Sequence, residues 1–233
     1  MHPIFLLDFD GVLFDSAYEA YSVCQKLTEI SKKYSRKVSF EEFMEFRSIL
    51  TDAWQFQFLL SKDRKYKNVD EILNYDFDDS SPAFLKLFFD ARKELMKDAE
   101  WPKLMSPYPF FHLIKSLLAQ HPKLFRIIST RNYASIKKTL NFHKIKQIEI
   151  FSQEDIRKHG SKLDVIKSKV FTEKNYIIFI DDMRSHLEPF EEFINLCIHA
   201  GWGYEKSLID SYTHVQAFQI INSIIEVYQL PSD

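Results

Sequence analysis

Glycine, cysteine and long apolar runs are all scarce in this chain. Its 233 residues include four glycines and two cysteines, and no apolar run approaches the roughly 18 residues of a membrane-spanning helix. Cys24 and Cys197 lie far apart, each within an apolar segment, so we expect buried thiols rather than a disulfide or a metal pair. The scarcity therefore argues against a disulfide-stabilised secreted domain and against a membrane protein.

The charge balance provides no large field of either sign. The 31 Lys and Arg and 33 Asp and Glu give a net charge of -2 and a pI near 6.5, so the sequence predicts no nucleic-acid partner. The first apolar run begins almost at Met1 and leaves no room for a signal peptide, so we expect a cytoplasmic protein with no membrane partner. The length suits one domain with an insertion or two modest domains. The oligomeric state stays open between a monomer and a weak homodimer.

Two carboxylates stand at the end of the first apolar run. Ile4 to Leu7 are four consecutive apolar residues, which indicates a strand buried on both faces of a parallel sheet. Asp8 and Asp10 follow it, and side chains two residues apart in an extended segment point the same way. Two like charges held this close favour a bound divalent cation, which would leave one carboxylate oxygen able to attack a phosphorus atom.

An EF-hand calcium loop is the alternative interpretation of this aspartate pair. Such a loop needs glycine at its sixth position and glutamate at its twelfth. Counted from Asp8, these positions hold Leu13 and Glu19, and the intervening Val12 and Phe14 have no side-chain oxygen. Because the segment fails at the glycine and at two ligand positions, we prefer a catalytic pair at a strand end.

Further polar residues follow two later apolar runs. One of these runs, 176–180, leads directly into Asp181 and Asp182, and adjacent acids at the end of a buried strand are costly unless a cation shares the site. The other run leads into Ser129 and Thr130, which are also good N-caps for a following helix. A helix start there would itself attract an anion, so the capping and anion-binding interpretations are compatible.

The rhythm of apolar residues divides the chain into two parts. From Ser16 to about residue 103 the pattern is helical, with Ser81 as a candidate N-cap, and no strand is predicted between the first one and residue 124. From Phe110 onwards strands and helices alternate, which is typical of parallel βαβ units. The predicted helices span 53–60, 81–96, 110–119, 134–142, 163–170 and 215–228, and the predicted strands 124–128, 147–151, 176–180 and 195–199.

The segment Asp8-Phe-Asp-Gly-Val-Leu-Phe-Asp-Ser16 resembles motif I of the haloacid dehalogenase-like superfamily, and the later polar residues match its remaining motifs in order. The layout is similar to that of phosphoglycolate phosphatase-like members with a helical cap. The resemblance implies an α/β fold, with a doubly wound, Rossmann-like parallel-sheet core and an inserted all-helical cap domain. The core would comprise residues 1–16 and 104–233, and the cap would comprise residues 17–103.

The family's motifs imply a role for each matching residue. Asp8 would be the nucleophile that becomes an aspartyl-phosphate, and Asp10 the general acid and then the base. Ser129 or Thr130 would be motif II, with Ser129 preferred as the first hydroxyl after the strand, and Lys162 would be the lysine of motif III. The implied phosphate-binding residues are Gly11, Ser129, Thr130, Arg131 and Lys162. The implied Mg²⁺ site comprises Asp8, the backbone carbonyl of Asp10, Asp182 and, in a supporting position, Asp181.

Some positions depart from the usual family pattern. Phe110 stands where relatives usually carry glycine. His186 lies where many relatives carry a further acid, and we interpret it as a hydrogen-bonding residue rather than a metal ligand. Trp202, between Gly201 and Gly203, is expected to close the core beside the site.

The resemblance implies a Mg²⁺-dependent phosphatase that hydrolyses a small phosphorylated metabolite. True dehalogenases lack the second aspartate of motif I, so Asp10 favours phosphate esters. A phosphomutase of the same family retains both aspartates and stays open, and the non-enzymatic alternative is a degenerate scaffold that binds phosphate. Candidate substrate contacts in the cap are Arg47, Trp54, Phe56, Phe58 and Tyr66. Aromatic residues at helical spacing, however, are more often core residues than pocket walls.

Overall fold

The computed structural model describes residues 2–47, 49–50, 52–62, 78–205 and 210–228. The chain divides into two compact units. We name Met1–Asp15 with Ser106–Asp233 the core unit, and Ser16–Met105 the helical unit. The chain therefore leaves the core unit after its first strands and returns to it once.

A parallel five-stranded sheet lies at the centre of the core unit, which also contains a two-stranded ladder. In chain order the strands are β1 (His2–Leu7), β2 (Phe14–Asp15), β3 (Ser106–Pro107), β4 (Phe125–Ile128), β5 (Glu149–Phe151), β6 (Asn175–Asp181) and β7 (Leu196–His199). The sheet has the order β5-β4-β1-β6-β7, and all of its neighbouring strands are parallel. Because the chain runs outward in both directions from β1, the carboxyl ends near β1 are the expected ligand-binding edge.

The strands β1 and β6 form the apolar middle of this sheet. Most of their residues are Ile, Leu or Phe and are almost completely buried, as expected for strands covered on both faces. Their register places Leu7 opposite Ile180. Asp8 and Asp181, the residues that follow this pair, therefore emerge side by side at the carboxyl edge.

The helical unit consists of helices and turns in its described residues. Its helices are α1 (Ala17–Ile30), α2 (Phe40–Arg47), α3 (Phe56–Leu60) and α4 (Ser81–Leu95). A tight turn over Ala53–Gln55 precedes α3, so the helix predicted at 53–60 forms in two pieces. The N-cap of α4 is Ser80 and not Ser81 as predicted, because the Ser81 hydroxyl lies inside the helix and donates to Asp78 Oδ1 at 3.0 Å.

Aromatic rings form much of the interior of the helical unit. Phe56 stacks on Phe43 and Phe88 with ring centres 5.2 and 5.6 Å apart, and each such buried side chain contributes roughly 1.5–3 kcal/mol of burial free energy. Trp54 and Phe58 are also buried, so the candidate pocket aromatics that can be placed belong to the interior. The candidate Tyr66 lies outside the described residues.

One ion pair is fully enclosed within the helical unit. Arg92 of α4 donates from Nε and Nη2 to the two carboxylate oxygens of Glu19 in α1, at 2.9 and 3.1 Å. The guanidinium carbon also lies 4.8 Å from the ring centre of Phe88. The pair thus joins the first and last described helices of the unit by a two-pronged contact.

Helices cover the sheet of the core unit. They are α5 (Pro109–Gln120), α6 (Tyr133–Phe142), α7 (Gln153–His159), α8 (Lys162–Lys169), α9 (Arg184–Leu187) and α10 (His214–Val227). The predicted doubly wound α/β fold is confirmed, and the predicted strands and long helices of this unit lie within two residues of the observed ones. The sequence interpretation missed α7 and the ladder of β2 with β3, and the expectation of no strand before residue 124 is wrong for these short segments.

The two cysteines differ in burial, whereas the sequence predicted that both would be buried. Cys24 and Cys197 carry free thiols, the former buried and the latter half-buried, and burial raises the pKa of Cys197 to about 11. Within the described ranges, each helix is too short or too polar to cross a bilayer.

Candidate active site

Asp8 occupies the centre of the carboxyl edge of the sheet. It directly follows β1, and its amide N–H donates to the carbonyl of Ile180 on β6 at 2.9 Å. Its side chain is 8% exposed. The parallel pairing of two apolar strands thus holds a carboxylate almost out of water, at the end of the sheet where ligands bind.

Three carboxylates meet at this edge. Asp8, Asp181 and Asp182 are all buried, and one oxygen from each lies within 4.8 Å of the others, which makes them a possible metal-binding group among the described residues. Carboxylate oxygens are the hard donors that Mg²⁺ takes in proteins, and a magnesium site usually uses only one or two of them. The residues present therefore fit a divalent cation.

Lys162 provides the cationic side chain of this cluster. It opens α8, where the N-cap Ser161 accepts a hydrogen bond from the amide of Asp164 and so fixes the start of the helix. From there Nζ reaches Asp8 Oδ1 at 3.0 Å and Asp181 Oδ2 at 2.7 Å. One ammonium group thus bridges two of the three carboxylates.

Burial and the lysine shift the protonation equilibria in opposite directions. Burial raises the pKa of Asp8 to about 6, against the opposing effect of Lys162. Burial also acts to raise the pKa of Asp181, but the charges of Lys162 and His186 outweigh it and hold that pKa well below its usual range. The pKa of Lys162 is raised, because the two carboxylates outweigh its own burial. Near neutral pH, Asp181 and Lys162 are therefore the firmly charged pair, and Asp8 is held less firmly in its ionised form.

His186 supports Asp181 from the other side. Its Nδ1 lies 3.1 and 3.2 Å from the two carboxylate oxygens of Asp181 and 3.4 Å from Lys162 Nζ. The amide of Met183 donates to Asp181 Oδ1 at 2.9 Å. The Asp181 carboxylate thus accepts from the Lys162 ammonium and the Met183 amide, and it contacts the His186 ring.

Two glycines enclose the carboxylate of Asp182. Gly11 has a φ of +88°, a backbone conformation that glycine adopts without strain, and a Cβ at Gly11 or at Gly203 would overlap the Asp182 side chain. The amide of Tyr204 donates to Asp182 Oδ2 at 2.7 Å. The absence of a side chain at both glycines is therefore what admits Asp182 to the site.

The turn that contains Gly203 is also hydrogen-bonded to the loop after β1. Trp202 Nε1 donates to the carbonyl of Val12 at 3.1 Å, and the hydroxyl of Tyr204 donates to Asp15 Oδ1 at 3.0 Å. These two bonds join residues about 190 positions apart in sequence. The turn thus ties Asp182 to the loop that carries Asp10.

The hydroxyl residues after β4 differ in exposure. Ser129 is buried, its amide donates to the carbonyl of Phe151 at 3.0 Å, and its Oγ accepts from the amide of Arg131 at 3.3 Å. Thr130 is exposed. The burial of Ser129 at the strand end suits the preferred motif II position.

Asp10 is not part of the three-carboxylate group and contacts Arg131. The Arg131 Nε lies 3.0 and 2.9 Å from the two carboxylate oxygens of Asp10. The side chain of Arg131 is 2% exposed and that of Asp10 is 19% exposed. The candidate acid-base group is thus paired with a residue that the sequence interpretation had placed on the phosphate.

The structure brings the predicted site residues to one edge of the core unit, in two groups. Asp8, Asp181, Asp182 and Lys162 form one group, and Asp10 is paired with Arg131. The sequence interpretation missed the Arg131 pairing and the two hydrogen bonds from the turn 201–204. The Trp-Gly pattern of that turn signalled its position, but no sequence pattern specifies which backbone carbonyl an indole N–H will meet.

Comparisons with known proteins give the fold a name. No protein-family model and no curated protein sequence matches this chain. Among solved structures, a haloacid dehalogenase-like hydrolase from Streptococcus pneumoniae is similar at 15% identity and a TM-score of 0.62, over 94% of this chain and 98% of that one. A predicted phosphatase from Clostridium acetobutylicum is similar at 17% identity and a TM-score of 0.62, over 96% of this chain and 99% of that one.

A third similar structure is a proposed beta-phosphoglucomutase from Thermotoga maritima, at 12% identity and a TM-score of 0.56, over 95% of this chain and 99% of that one. The likeness in each case extends over nearly the whole of both chains, the helical insertion included. The chain has the fold of the haloacid dehalogenase-like hydrolases.

Proposed function

We propose that this protein is a Mg²⁺-dependent phosphatase that hydrolyses a small phosphate monoester through an aspartyl-phosphate on Asp8. The observation that carries the proposal is the position of Asp8, buried at the carboxyl end of β1 and 3.0 Å from Lys162 Nζ. A carboxylate in such a position has an oxygen directed at the ligand edge and a cation beside it to offset the charge of a phosphate.

In the first half of the reaction, an oxygen of Asp8 attacks the phosphorus and the bond from phosphorus to the ester oxygen breaks. Asp10 gives its proton to the departing oxygen. In the second half, a water oxygen bonds to phosphorus, the bond to Asp8 breaks, and Asp10 takes a proton from that water. Phosphate and the free alcohol are the products, and Asp8 and Asp10 return to their starting states.

The remaining site residues bind the phosphoryl oxygens. Ser129, at the start of the segment leading into α6, would donate its hydroxyl, and the backbone amide of Thr130 is a further candidate donor. The amide of Gly11, which the family resemblance also placed on the phosphate, instead donates to the carbonyl of Phe14 at 3.0 Å. Lys162 would neutralise charge on the transferred group while it remains bonded to Asp181. Its burial excludes water from the contact, which strengthens the electrostatic effect.

Mg²⁺ fits the three-carboxylate group. Asp8, Asp182 and the backbone carbonyl of Asp10 would hold it, with Asp181 supporting them. When bound, the ion would supply positive charge that lowers the repulsion between the Asp8 carboxylate and the phosphate group.

A panel of small phosphate esters, assayed with and without Mg²⁺, tests the proposal. We expect release of inorganic phosphate from at least one ester, dependent on Mg²⁺, and a phosphorylated Asp8 peptide by mass spectrometry after rapid acid quench. Binding of phosphate without turnover of any ester would support the degenerate scaffold instead. Turnover without a phosphorylated Asp8 would overturn the covalent mechanism.

A phosphomutase is the second candidate, because both motif I aspartates are present and the fold also matches a proposed beta-phosphoglucomutase. A mutase returns the phosphoryl group to its substrate and releases little free phosphate. We expect the opposite here: phosphate release from monoesters without any bisphosphate activator. Sugar phosphate isomerisation that needs a bisphosphate would favour the mutase.

A further inference from the structure

Two backbone hydrogen bonds fix the position of Arg131. Its amide N–H donates to Ser129 Oγ at 3.3 Å, and its carbonyl accepts from the amide of Gln153 at 3.0 Å, where α7 begins. The guanidinium carbon lies 5.6 Å from the ring centre of Phe9, within the distance of a cation-π contact. The side chain is therefore held between the loop after β4 and the loop after β1.

The Nε–H of Arg131 is directed at the Asp10 carboxylate. Nε contacts both carboxylate oxygens, at 3.0 and 2.9 Å, and the arginine side chain is 2% exposed. Asp10 itself stands in a tight loop in which the amide of Gly11 donates to the carbonyl of Phe14 at 3.0 Å. Because a buried charge-assisted contact of this kind fixes geometry, the orientation of the Asp10 carboxylate depends on Arg131.

A guanidinium does not release its proton in proteins. Arg131 can therefore act on the reaction by holding Asp10, but it cannot replace Asp10 as the proton donor. Proton transfer in catalysis requires the acid to lie within hydrogen-bond reach of the departing oxygen, so a misdirected Asp10 would lose its effect. Without the Arg131 contact, the Asp10 side chain would be free to adopt other χ1 and χ2 rotamers.

We infer that Arg131 is the positioning residue for Asp10, and that its guanidinium serves proton transfer rather than phosphate binding. This inference rests on the proposed function, in which Asp10 protonates the ester oxygen and then accepts a proton from water. Arg131 forms and breaks no covalent bond in either step. It holds the Asp10 carboxylate toward the side of the site where the ester oxygen departs.

The dependence on leaving group distinguishes the two roles of Arg131. A nitrophenolate departs readily without a proton, whereas a more basic phenolate depends on the general acid. Weakened proton transfer therefore lowers kcat more for phenyl phosphate than for 4-nitrophenyl phosphate. Weakened phosphate binding raises KM by a similar factor for both esters, and raises the inhibition constant of inorganic phosphate.

The experiment compares wild type, Arg131→Gln, Arg131→Lys, Asp10→Asn and the double variant Asp10→Asn/Arg131→Gln on a series of ring-substituted phenyl phosphates. For Arg131→Gln we expect kcat to fall about tenfold with 4-nitrophenyl phosphate and about a hundredfold or more with phenyl phosphate, at nearly constant KM. Arg131→Lys should recover part of this loss. The double variant should be no slower than Asp10→Asn alone, because both changes remove the same proton transfer.

Arg126→Gln is the matched control. Arg126 lies on β4 and pairs with Glu149 away from the site, so its loss should leave the leaving-group dependence unchanged. Thermal unfolding checks that each variant is folded. If Arg131→Gln is not folded, Arg131→Lys takes its place in the comparison.

A uniform fall across the ester series, with a raised phosphate inhibition constant, would overturn the role given to Arg131 and leave the phosphatase proposal intact. Additive losses in the double variant would also overturn it. Wild-type protein that hydrolyses no ester in the series would overturn the proposed function itself, and this inference with it.

Discussion

The two units of the molecule both bury charged side chains, but they balance them differently. In the helical unit, Glu19 and Arg92 meet as one carboxylate and one guanidinium, with two hydrogen bonds between them. At the edge of the core sheet, two of three buried carboxylates contact the ammonium group of Lys162, and His186 lies beside Asp181. The first arrangement is a closed pair, and the second has an excess of negative charge.

This difference separates a structural ion pair from a functional one. A buried pair in which every lone pair is met contributes shape and specificity, and it is costly to break from one side. A buried cluster with unmatched carboxylates lowers stability until a ligand supplies the missing charge, and functional sites are where such shifted groups concentrate. The balance of charge, rather than burial alone, supports the carboxyl edge of the core sheet as the candidate site.

Replacing Asp8 with Asn should have the largest effect of the changes proposed for the carboxylate cluster of the core unit. We expect phosphatase turnover to fall by at least about 10³-fold, because the nucleophile is removed. We expect no loss of unfolding free energy near pH 7 in the absence of divalent metal, since the change also removes one buried like charge. Turnover of 4-nitrophenyl phosphate and urea unfolding measure the two effects.

The pH dependence of Asp8 follows from the direction of its shift. Burial raises the pKa of Asp8 to about 6 in the folded protein, above the roughly 3.9 of an exposed aspartate. Between these values the unfolded chain loses its proton first, so the fold loses stability as pH rises from about 4 to about 6. Asp8→Asn should lack this decline. The exposed Asp90→Asn, in a surface pair with Lys86, is the control, and a matching decline in Asp8→Asn would contradict the assignment.

Removing Arg92 from its pair with Glu19 should destabilise the fold, because it relieves no repulsion between like charges. Arg92→Met leaves Glu19 buried and fully enclosed without its guanidinium partner, and we expect a loss of about 3–5 kcal/mol in unfolding free energy. The double variant Glu19→Leu/Arg92→Met should recover much of that loss, because it leaves no buried charge unmatched. Urea unfolding monitored by circular dichroism is the measurement.

Lys86→Ala provides the control on the same helix. Its pair with Asp90 is exposed, so the change should alter the unfolding free energy by no more than about 0.5 kcal/mol. If the double variant were as unstable as Arg92→Met, packing rather than unmatched charge would explain the loss, and the contrast between the two units would fail.

A substitution that displaces the Asp182 carboxylate tests the carboxylate cluster of the core unit. A methyl group at Gly203 overlaps the Asp182 side chain, so Gly203→Ala must displace that carboxylate. We expect the Mg²⁺ concentration that gives half of the thermal stabilisation to rise about 10- to 100-fold, as when a support of a metal ligand is lost. Thermal unfolding over a Mg²⁺ titration measures this without any substrate.

Gly201→Ala is the matched variant in the same turn. Its added methyl meets the side chain of Ser211 and not Asp182. It should therefore lower stability modestly and leave the Mg²⁺ dependence as in wild type. Equal Mg²⁺ dependence in Gly203→Ala and wild type would show that Asp182 does not bind the ion.

Much of the fold could be predicted because its signals are local. The apolar runs that end at Leu7 and Ile180, and the acids after them, place two parallel strands and the edge where they end. The ladder of β2 with β3 could not be found, since two residues in each strand carry no periodicity. The helix α7 was missed for a related reason: it contains no buried residue, so it has no apolar stripe to read.

The sequence predicted which residues lie at the candidate site, but not which of them contact each other. The position of Asp8, Asp181 and Asp182 follows from strand ends, which a sequence displays directly. The contact of Arg131 with Asp10 joins residues 121 positions apart, and whether a guanidinium turns to a carboxylate or to a ligand is decided by loop geometry. The three-dimensional path of the loops after β1 and β4 supplies what the sequence pattern lacks.

The smallest expected effect concerns His143, a titratable group packed among rings in the core unit. Its ring centre lies 5.1 Å from that of Phe14 and 5.2 Å from that of Phe111. Within the described part of the chain, its buried Nε2 has no hydrogen-bond partner. Burial lowers the pKa of His143, and the neighbouring charges of Lys115 and His112 lower it further.

Because the folded state resists protonation of His143, the unfolded chain takes up the proton first as pH falls. The fold therefore loses stability as pH drops below about 6.5, the ordinary value for histidine. His143→Gln should flatten this part of the profile by an amount that shifts Tm by less than about 2 °C. Thermal unfolding of both proteins at intervals between pH 7.5 and pH 5, in identical ionic strength, measures the difference, with His2→Gln, at an exposed position, as the control. Parallel profiles for wild type and His143→Gln would show that this ring is protonated as easily inside the fold as outside it, which would contradict the lowered pKa.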